Sequence, residues 1–186
     1  MPLMHIKTDQ GNFAVPGDRY THAMQHISTV HQRIHAGQCW DLSAKMSIGT
    51  GATALLLGKV GQYGVHFQHF SVQSTDGPID IELFEAPTTT ADGTLQTIRN
   101  RNREFADDSA TFGVYLTPTV TVDGDRLFIT GVLADAALIF GASTTAEQTQ
   151  KEEWVLAPST NYLIKLTNNG SGTAVIYTNF MWYEQV

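Results

Sequence analysis

The chain has 186 residues, only 16% of them charged, and a formal net charge of −7. One sizeable core fits that length, with roughly 70% of the unfolded surface removed on folding, and the negative balance argues against nucleic-acid binding through the general field. A lone cysteine, Cys39, excludes an internal disulfide framework. No run of about 18 apolar residues predicts a membrane span, and no basic-then-apolar start predicts an export signal.

The first 17 residues lack periodicity and contain Gly11, Pro16 and Gly17, which predicts an extended arm ordered by something else. From Asp18 to His35, Tyr20, Ala23, Met24, Ile27, Val30 and Ile34 fit a helical stripe, while Ser28-Thr29-Val30 favours a strand. A short helix or an irregular entry segment is expected there. Residues 1–35 are read as arm and entry segment, and residues 36–186 as the β domain.

Strands follow at short intervals. Trp40, Leu42, Ala44, Met46 and Ile48 alternate with Asp41, Ser43, Lys45 and Ser47, a half-buried strand from Cys39 to Ile48. Ala52 to Val60 is short and apolar in its middle. Between Tyr63 and Thr75 the apolar phase slips, which predicts a bulge near Gln68-His69. After the Asp76-Gly77-Pro78 turn, Ile79, Ile81 and Leu83 mark another strand, and Pro87 to Gly93 is expected as a loop. Further strands are expected at Thr94 to Asn102, Phe112 to Leu116, Thr119 to Val122, Leu127 to Val132 and Glu153 to Leu156. Ala136 to Phe140 is a short buried helix or strand, and Gly141 to Gln150 a loop. No repeat of fixed period is evident.

Asn161 to Glu184 reads as a closing β-hairpin around Asn168-Asn169-Gly170-Ser171-Gly172. On its second arm Ala174, Ile176, Phe180 and Trp182 share one face, and Val175, Tyr177, Met181 and Tyr183 the other. A strand apolar on both faces belongs inside a sandwich, or between a sandwich and a partner subunit. Core residues so near the end predict a closed domain without a functional tail. The pattern as a whole predicts an all-β, jelly-roll-like antiparallel β-sandwich with an extended N-terminal arm.

Catalytic signals are weak. His22 and His26 have i, i+4 spacing, as do His31 and His35, but a metal needs three or four ligands and no Cys pair joins them. His66-Phe67-Gln68-His69 lacks the His-x-His spacing of a metal-dependent jelly roll. There is no Gly-x-Ser-x-Gly and no glycine-rich phosphate loop. Cys39, in an alternating strand, reads as a packed thiol. The adjacent carboxylates Asp107-Asp108 and Glu152-Glu153 read as solvated. Glycoside hydrolysis stays open, because carboxylates paired in space leave no trace in sequence. No enzyme activity, metal or cofactor is expected.

One charge pattern stands out, Arg99-Asn100-Arg101-Asn102-Arg103-Glu104. On an extended chain its three arginines project from one side at about 7 Å intervals. Such a stripe suits docking on an acidic partner surface, or equally an edge strand protected against mispairing.

Several segments together resemble a known family. They are Ile34-His35-Ala36-Gly37, the run Ile-Asp-Ile-Glu-Leu-Phe-Glu from Ile79 to Glu85, and the Asn-Arg-Asn-Arg tract from Asn100 to Arg103. The closing Tyr-Leu-Ile-Lys-Leu-Thr-Asn from Tyr162 and Met-Trp-Tyr-Glu from Met181 complete the set. Over roughly Ile34 to Glu184 the chain is similar to capsid decoration, or cement, proteins of tailed bacteriophages. The resemblance implies a jelly roll and a non-enzymatic virion component, usually a homotrimer, that clamps neighbouring major capsid protein subunits on the outer shell. It would be made in the host cytoplasm, with no membrane or nucleic-acid partner. The segment before His31 and the Ala/Thr-rich stretch after Leu133 depart from the pattern. Candidate shell contacts are Phe13 and Val15 on the arm, with Arg99, Arg101 and Arg103. The alternative is a head-fibre or receptor-binding sandwich that recognises host-surface glycans. That role needs exposed aromatic platforms, and Trp40, Trp154 and Trp182, the only indoles, all fall in strand-like runs.

Overall fold

The structure, a computed structural model, describes residues 3–8, 11–16, 29–75, 77–107, 110–133, 137–140 and 154–184, with the backbone alone at 3–8, 11–16, 29 and 137–140. The chain divides into two compact units, Met1–Gln32 and Arg33–Val186. In the first, β1 (Leu3–Thr8) pairs antiparallel with β2 (Gly11–Pro16), Leu3 opposite Pro16 and Thr8 opposite Gly11. The described part of the expected arm is therefore a two-stranded hairpin, whose ladder satisfies backbone groups that a lone extended segment would leave to water. A seven-residue helix, α1 (Thr29–His35), ends the entry segment; the preceding residues, 17–28, lie outside the described ones.

The second unit is all-β. In chain order its strands are β3 (Cys39–Ile48), β4 (Thr53–Lys59), β5 (Val65–Ser74), β6 (Ile79–Glu85), β7 (Thr88–Ala91), β8 (Thr94–Leu95) and β9 (Arg99–Asn100). They continue as β10 (Gly113–Leu116), β11 (Thr119–Val122), β12 (Asp125–Val132), β13 (Ala137–Phe140), β14 (Trp154–Leu156), β15 (Asn161–Asn168) and β16 (Ala174–Glu184). One sheet has the order β12-β6-β15-β4-β10-β8. The other runs β13-β5-β16-β3-β9, with β14 also on the free side of β5. The two antiparallel sheets pack as a sandwich.

Alternation explains the core. Trp40, Leu42, Ala44 and Ile48 of β3 bury one face, next to Ile176, Phe180 and Trp182 of β16. Leu56, Ile81, Leu83 and Leu166 meet them from the other sheet. At one end the rings interlock: Phe112 lies edge-on to Trp182 at 5.2 Å and to Phe67 at 5.6 Å, and Phe70 and Phe180 are 4.9 Å apart. Such pairs add about 0.5–1.5 kcal/mol each beyond area burial. The expected bulge is present, because Met181 faces His69 while Trp182 faces Phe67, leaving Gln68 as the extra residue.

Three expectations need correction. Asn161 to Glu184 is not a hairpin, since β15 and β16 lie in opposite sheets. Asn168, fully buried, donates through Nδ2 to Ile48 O at 2.9 Å and Gly172 O at 2.8 Å, and its Oδ1 accepts from Gly170 N at 2.8 Å. These bonds hold the corner where the chain changes sheets. The expected loop from Pro87 to Gly93 contains β7, and the expected strand from Thr94 to Asn102 shrinks to the two-residue β8 and β9.

The second face of β16 is covered by its own chain only toward its end, at Met181 and Tyr183, while Tyr177 and Asn179 are exposed. Tyr183 stacks on His66 at 4.5 Å and lies 5.6 Å from the Arg33 guanidinium, while the Met181 sulfur accepts from Arg101. Tyr177, near Lys45, stays 39% exposed.

Candidate functional site

The most organised surface feature is a ribbon that crosses the first sheet. β6, β7 and β8 form one arm of it and β10, β11 and β12 the other, with β12 paired to β6, β11 to β7 and β10 to β8. Its two ends flank β15 and β4 on opposite sides, so the middle, β7 with β11, must pass over those strands. Because the inner face is filled by the core, it passes on the outside. There Phe84, Leu163, Leu57 and Tyr115 stand side by side across β6, β15, β4 and β10. Leu57 and Leu163 are both 0% exposed, yet neither belongs to the inter-sheet core. They form a second apolar layer under the ribbon.

The two halves of this assembly match. Lys59 on β4 pairs with Asp92 at 2.7 Å and lies 5.8 Å from the Tyr115 ring. Lys165 on β15 pairs with Asp123 at 2.8 Å and lies 5.9 Å from the Phe84 ring. Ala86 N donates to Asn161 O at 2.9 Å, and Thr117 N donates to Leu55 O at 3.1 Å. Each corner sets an L-residue of positive φ, followed by proline, against a glycine of positive φ. Ala86 (54°) meets Gly124 (94°), and Thr117 (55°) meets Gly93 (93°). An approximate two-fold axis therefore runs between Leu57 and Leu163. The sequence carries it as Pro87-Thr-Thr-Thr-Ala-Asp-Gly93 and Pro118-Thr-Val-Thr-Val-Asp-Gly124. Two copies of seven residues are too few for a periodicity search, which is why no repeat was expected; Pro-Thr-x-Thr-x-Asp-Gly was the available signal.

The arginine tract is arranged differently from an extended stripe. Only Arg99 and Asn100 are strand, and the chain then turns, with Phe105 N donating to Asn102 O at 3.0 Å. The buried Asn100 is the hub. Its Nδ2 donates to Gly37 O at 2.8 Å, and its Oδ1 accepts from Asn102 N at 2.9 Å. Asp107 accepts from Asn100 N at 2.8 Å, Arg103 at 2.6 Å and Arg99 at 2.8 Å. Arg101 stands 4.0 Å from Asp41. Arg99 and Arg103 thus share one carboxylate, and the tract offers less free positive charge than three parallel arginines would. Phe13 and Val15 sit on β2, opposite Ile6 and Met4. Phe13 and Val15 belong to the first unit, and Arg99, Arg101 and Arg103 to the second.

Asp107 gives a testable pH dependence. The Asn100 N–H, then Arg103 and Arg99, hold its carboxyl well below the usual carboxylate range. A depressed native pKa means its stabilisation is fully present above the unfolded value of about 3.9 and is lost as pH falls through the lower native value. Carbon-detected NMR titration should find Asp107 still ionised at pH 4; a midpoint near the ordinary value would show that the arginine contacts do not persist.

Burial pushes the Cys39 thiol up to about 11, so it is poorly nucleophilic at neutral pH. Burial also lowers His69. Tyr162 donates to Glu85 at 2.7 Å and accepts from Ala157 N at 3.0 Å; burial, then Glu85, raises its pKa. Among the described residues no three His, Cys, Asp or Glu side chains gather as a metal site; His22, His26, Asp108, Glu152 and Glu153 lie outside them. An apolar cleft of about 60 Å³ opens between the sheets beside Phe128 and Trp154. A shallower groove of about 590 Å³ lies by Lys59, Leu95, Gln96, Ile98 and Tyr115. The edge strand β12 exposes Leu127 and Ile129, with Leu133 just beyond its end. No family model matches the chain, and no curated protein matches it.

Proposed function

We propose that the protein is a non-enzymatic component of a tailed-phage virion that binds the outer capsid surface and stabilises contacts between major capsid protein subunits. In this reading its fold is a jelly roll. The strand order supports that: β3-β16-β5 with β13 and β14 faces β4-β15-β6-β12, so the chain switches sheets at each step among these strands except from β6 to β12 and from β13 to β14, the order of a jelly roll. The sequence resemblance from Ile34 to Glu184 points the same way.

The observation that carries the functional reading is where the surface specialisation lies. The space between the sheets is packed with the protein's own side chains, while the outside carries a neutral threonine-rich ribbon and an edge strand with exposed Leu127 and Ile129. Exposed apolar residues of this kind suit protein partners. The β12 edge would serve self-association, giving the closed homotrimer of the proposed family. Three weak footprints joined in one oligomer bind far more tightly than one.

Co-sedimentation with expanded and unexpanded capsids of the virus that encodes the chain tests the reading. Saturable binding to expanded shells at a whole number of copies per capsomer is expected. Phe13→Asp, Val15→Asp and an Arg99→Ala/Arg101→Ala/Arg103→Ala variant then map the contacts, each weakening binding if its residues touch the shell. Absence of binding to either shell form would sink the proposal.

Glycan recognition has one observation in its favour: the 39% exposed Tyr177 ring, with Lys45 opposite it and Asn179 two residues on along the same face. Trp40 and Trp182 offer no platform, being buried at 1% and 0% exposure. A glycan array without hits, on protein that binds shells, would remove this second reading.

A further inference from the structure

The approximate two-fold axis through the ribbon extends to exposed positions that folding constrains weakly; Thr121 Oγ1 donates to Thr88 O at 3.2 Å, an exposed bond that water can replace. Several of the correspondences have structural causes. Asp92 and Asp123 hold lysines, Gly93 and Gly124 pass close to carbonyl oxygens, and Phe84 and Tyr115 stand beside Leu163 and Leu57. Apart from the Thr121 bond the outward positions need only be compatible with water, and exposed substitutions usually change stability by less than about 0.5 kcal/mol. Yet Thr88 matches Thr119, and Thr90 matches Thr121, all four exposed. From Ala86 to Ala91 and from Thr117 to Val122 there is no charged residue at all. The result is a neutral face of hydroxyl and methyl groups that looks nearly the same after a half turn about its centre.

A surface that repeats itself about a two-fold axis is matched by a target that does the same. One partner subunit would use half of it, whereas two identical subunits related by a local two-fold axis present each complementary group twice. The absence of charge removes electrostatic steering and leaves shape, methyl contacts and hydroxyl hydrogen bonds as the recognition chemistry.

We propose that the outer face of β7 and β11 docks across a two-fold seam, each half of the ribbon touching one of two identical partner subunits. This rests on the capsid-binding reading and adds the kind of site on the shell. Binding is then bivalent within a single chain, and each half raises the effective concentration of the other.

The test uses the full chain with Thr90→Lys, with Thr121→Lys, and with both, after circular dichroism has confirmed unchanged folding. Binding to expanded shells is measured by co-sedimentation, and oligomeric mass by light scattering. Each single variant should weaken shell binding by a similar factor, on the order of 10²-fold or more, and the double variant should abolish it. Wild-type-like binding by either single variant would overturn the two-fold seam while leaving capsid binding intact. A changed oligomeric mass with unchanged shell binding would assign the ribbon to self-association and likewise overturn it. If the wild-type protein binds no shell, the functional reading itself fails, and the seam with it.

Discussion

Replacing Glu184 by leucine is expected to cost about 4 kcal/mol of folding stability. Glu184 ends β16 in one sheet and is fully buried. Its carboxylate accepts from Thr111 N at 3.0 Å on both oxygens, from Phe112 N at 3.0 Å and from Thr111 Oγ1 at 2.6 Å. Trp182 Nε1 adds a fourth donor at 3.3 Å. Thr111 and Phe112 lead directly into β10 of the other sheet, so one side chain fastens the two layers at the aromatic end of the core. Leucine approximates the volume but leaves four donors without an acceptor, Phe112 N and Trp182 Nε1 in buried surroundings and the two of Thr111 in half-buried ones. Glutamine keeps one acceptor oxygen and turns an amide N–H₂ toward donors, so Glu184→Gln should cost about half as much. Urea denaturation followed by tryptophan fluorescence gives both values, provided the m-value is unchanged. A loss below about 1 kcal/mol for leucine would contradict the cradle, since orphaned buried donors cost at least that much each.

The ribbon corners should be nearly as sensitive, and equally so. A Cβ on Gly93 would lie 2.1 Å from Leu116 O, and one on Gly124 would lie 2.1 Å from Glu85 O, with both backbones at positive φ. The obstruction is backbone, which cannot turn aside as a side chain would. Gly93→Ala and Gly124→Ala are each expected to cost about 3 kcal/mol, combining the left-handed penalty with displacement of the opposing strand. Gly51 separates the two contributions, because it has φ +67° but nothing within 4 Å of its Cβ. Gly51→Ala should therefore cost only about 1 kcal/mol. Thermal unfolding of the three variants would test the ranking. A large difference between Gly93→Ala and Gly124→Ala would show that the two corners are not equivalent.

Legibility in the sequence followed the range of the forces involved. β3 was readable from Cys39 to Ile48 because one face meets core and the other solvent, so every residue reports its side. The bulge at Gln68 was readable for the same reason: a phase slip moves apolar residues to the other face. β7 was missed because Thr88 to Ala91 packs over a sheet rather than within one, and its threonines carry no alternation. The arginine tract misled because three like charges suggest an extended stripe, whereas Asp107 lies only a few residues away and folds the chain back on itself. Glu184 gave no signal at all, since its donors come from Thr111 and Phe112, far away in sequence.

The sequence by itself determined the fold class, most of the strands and, where apolar and polar residues alternate as in β3 and β6, which face is core. Those properties follow from local alternation between apolar and polar side chains, which the chain carries residue by residue. Only the tertiary structure decided which strands are neighbours, that Asn161 to Glu184 crosses between sheets, and that two short Pro-Thr-x-Thr-x-Asp-Gly segments face one another about a two-fold axis. Such pairings depend on contacts between residues distant in the chain, made by side chains whose local pattern is compatible with many partners and is satisfied by one only when both sheets are assembled.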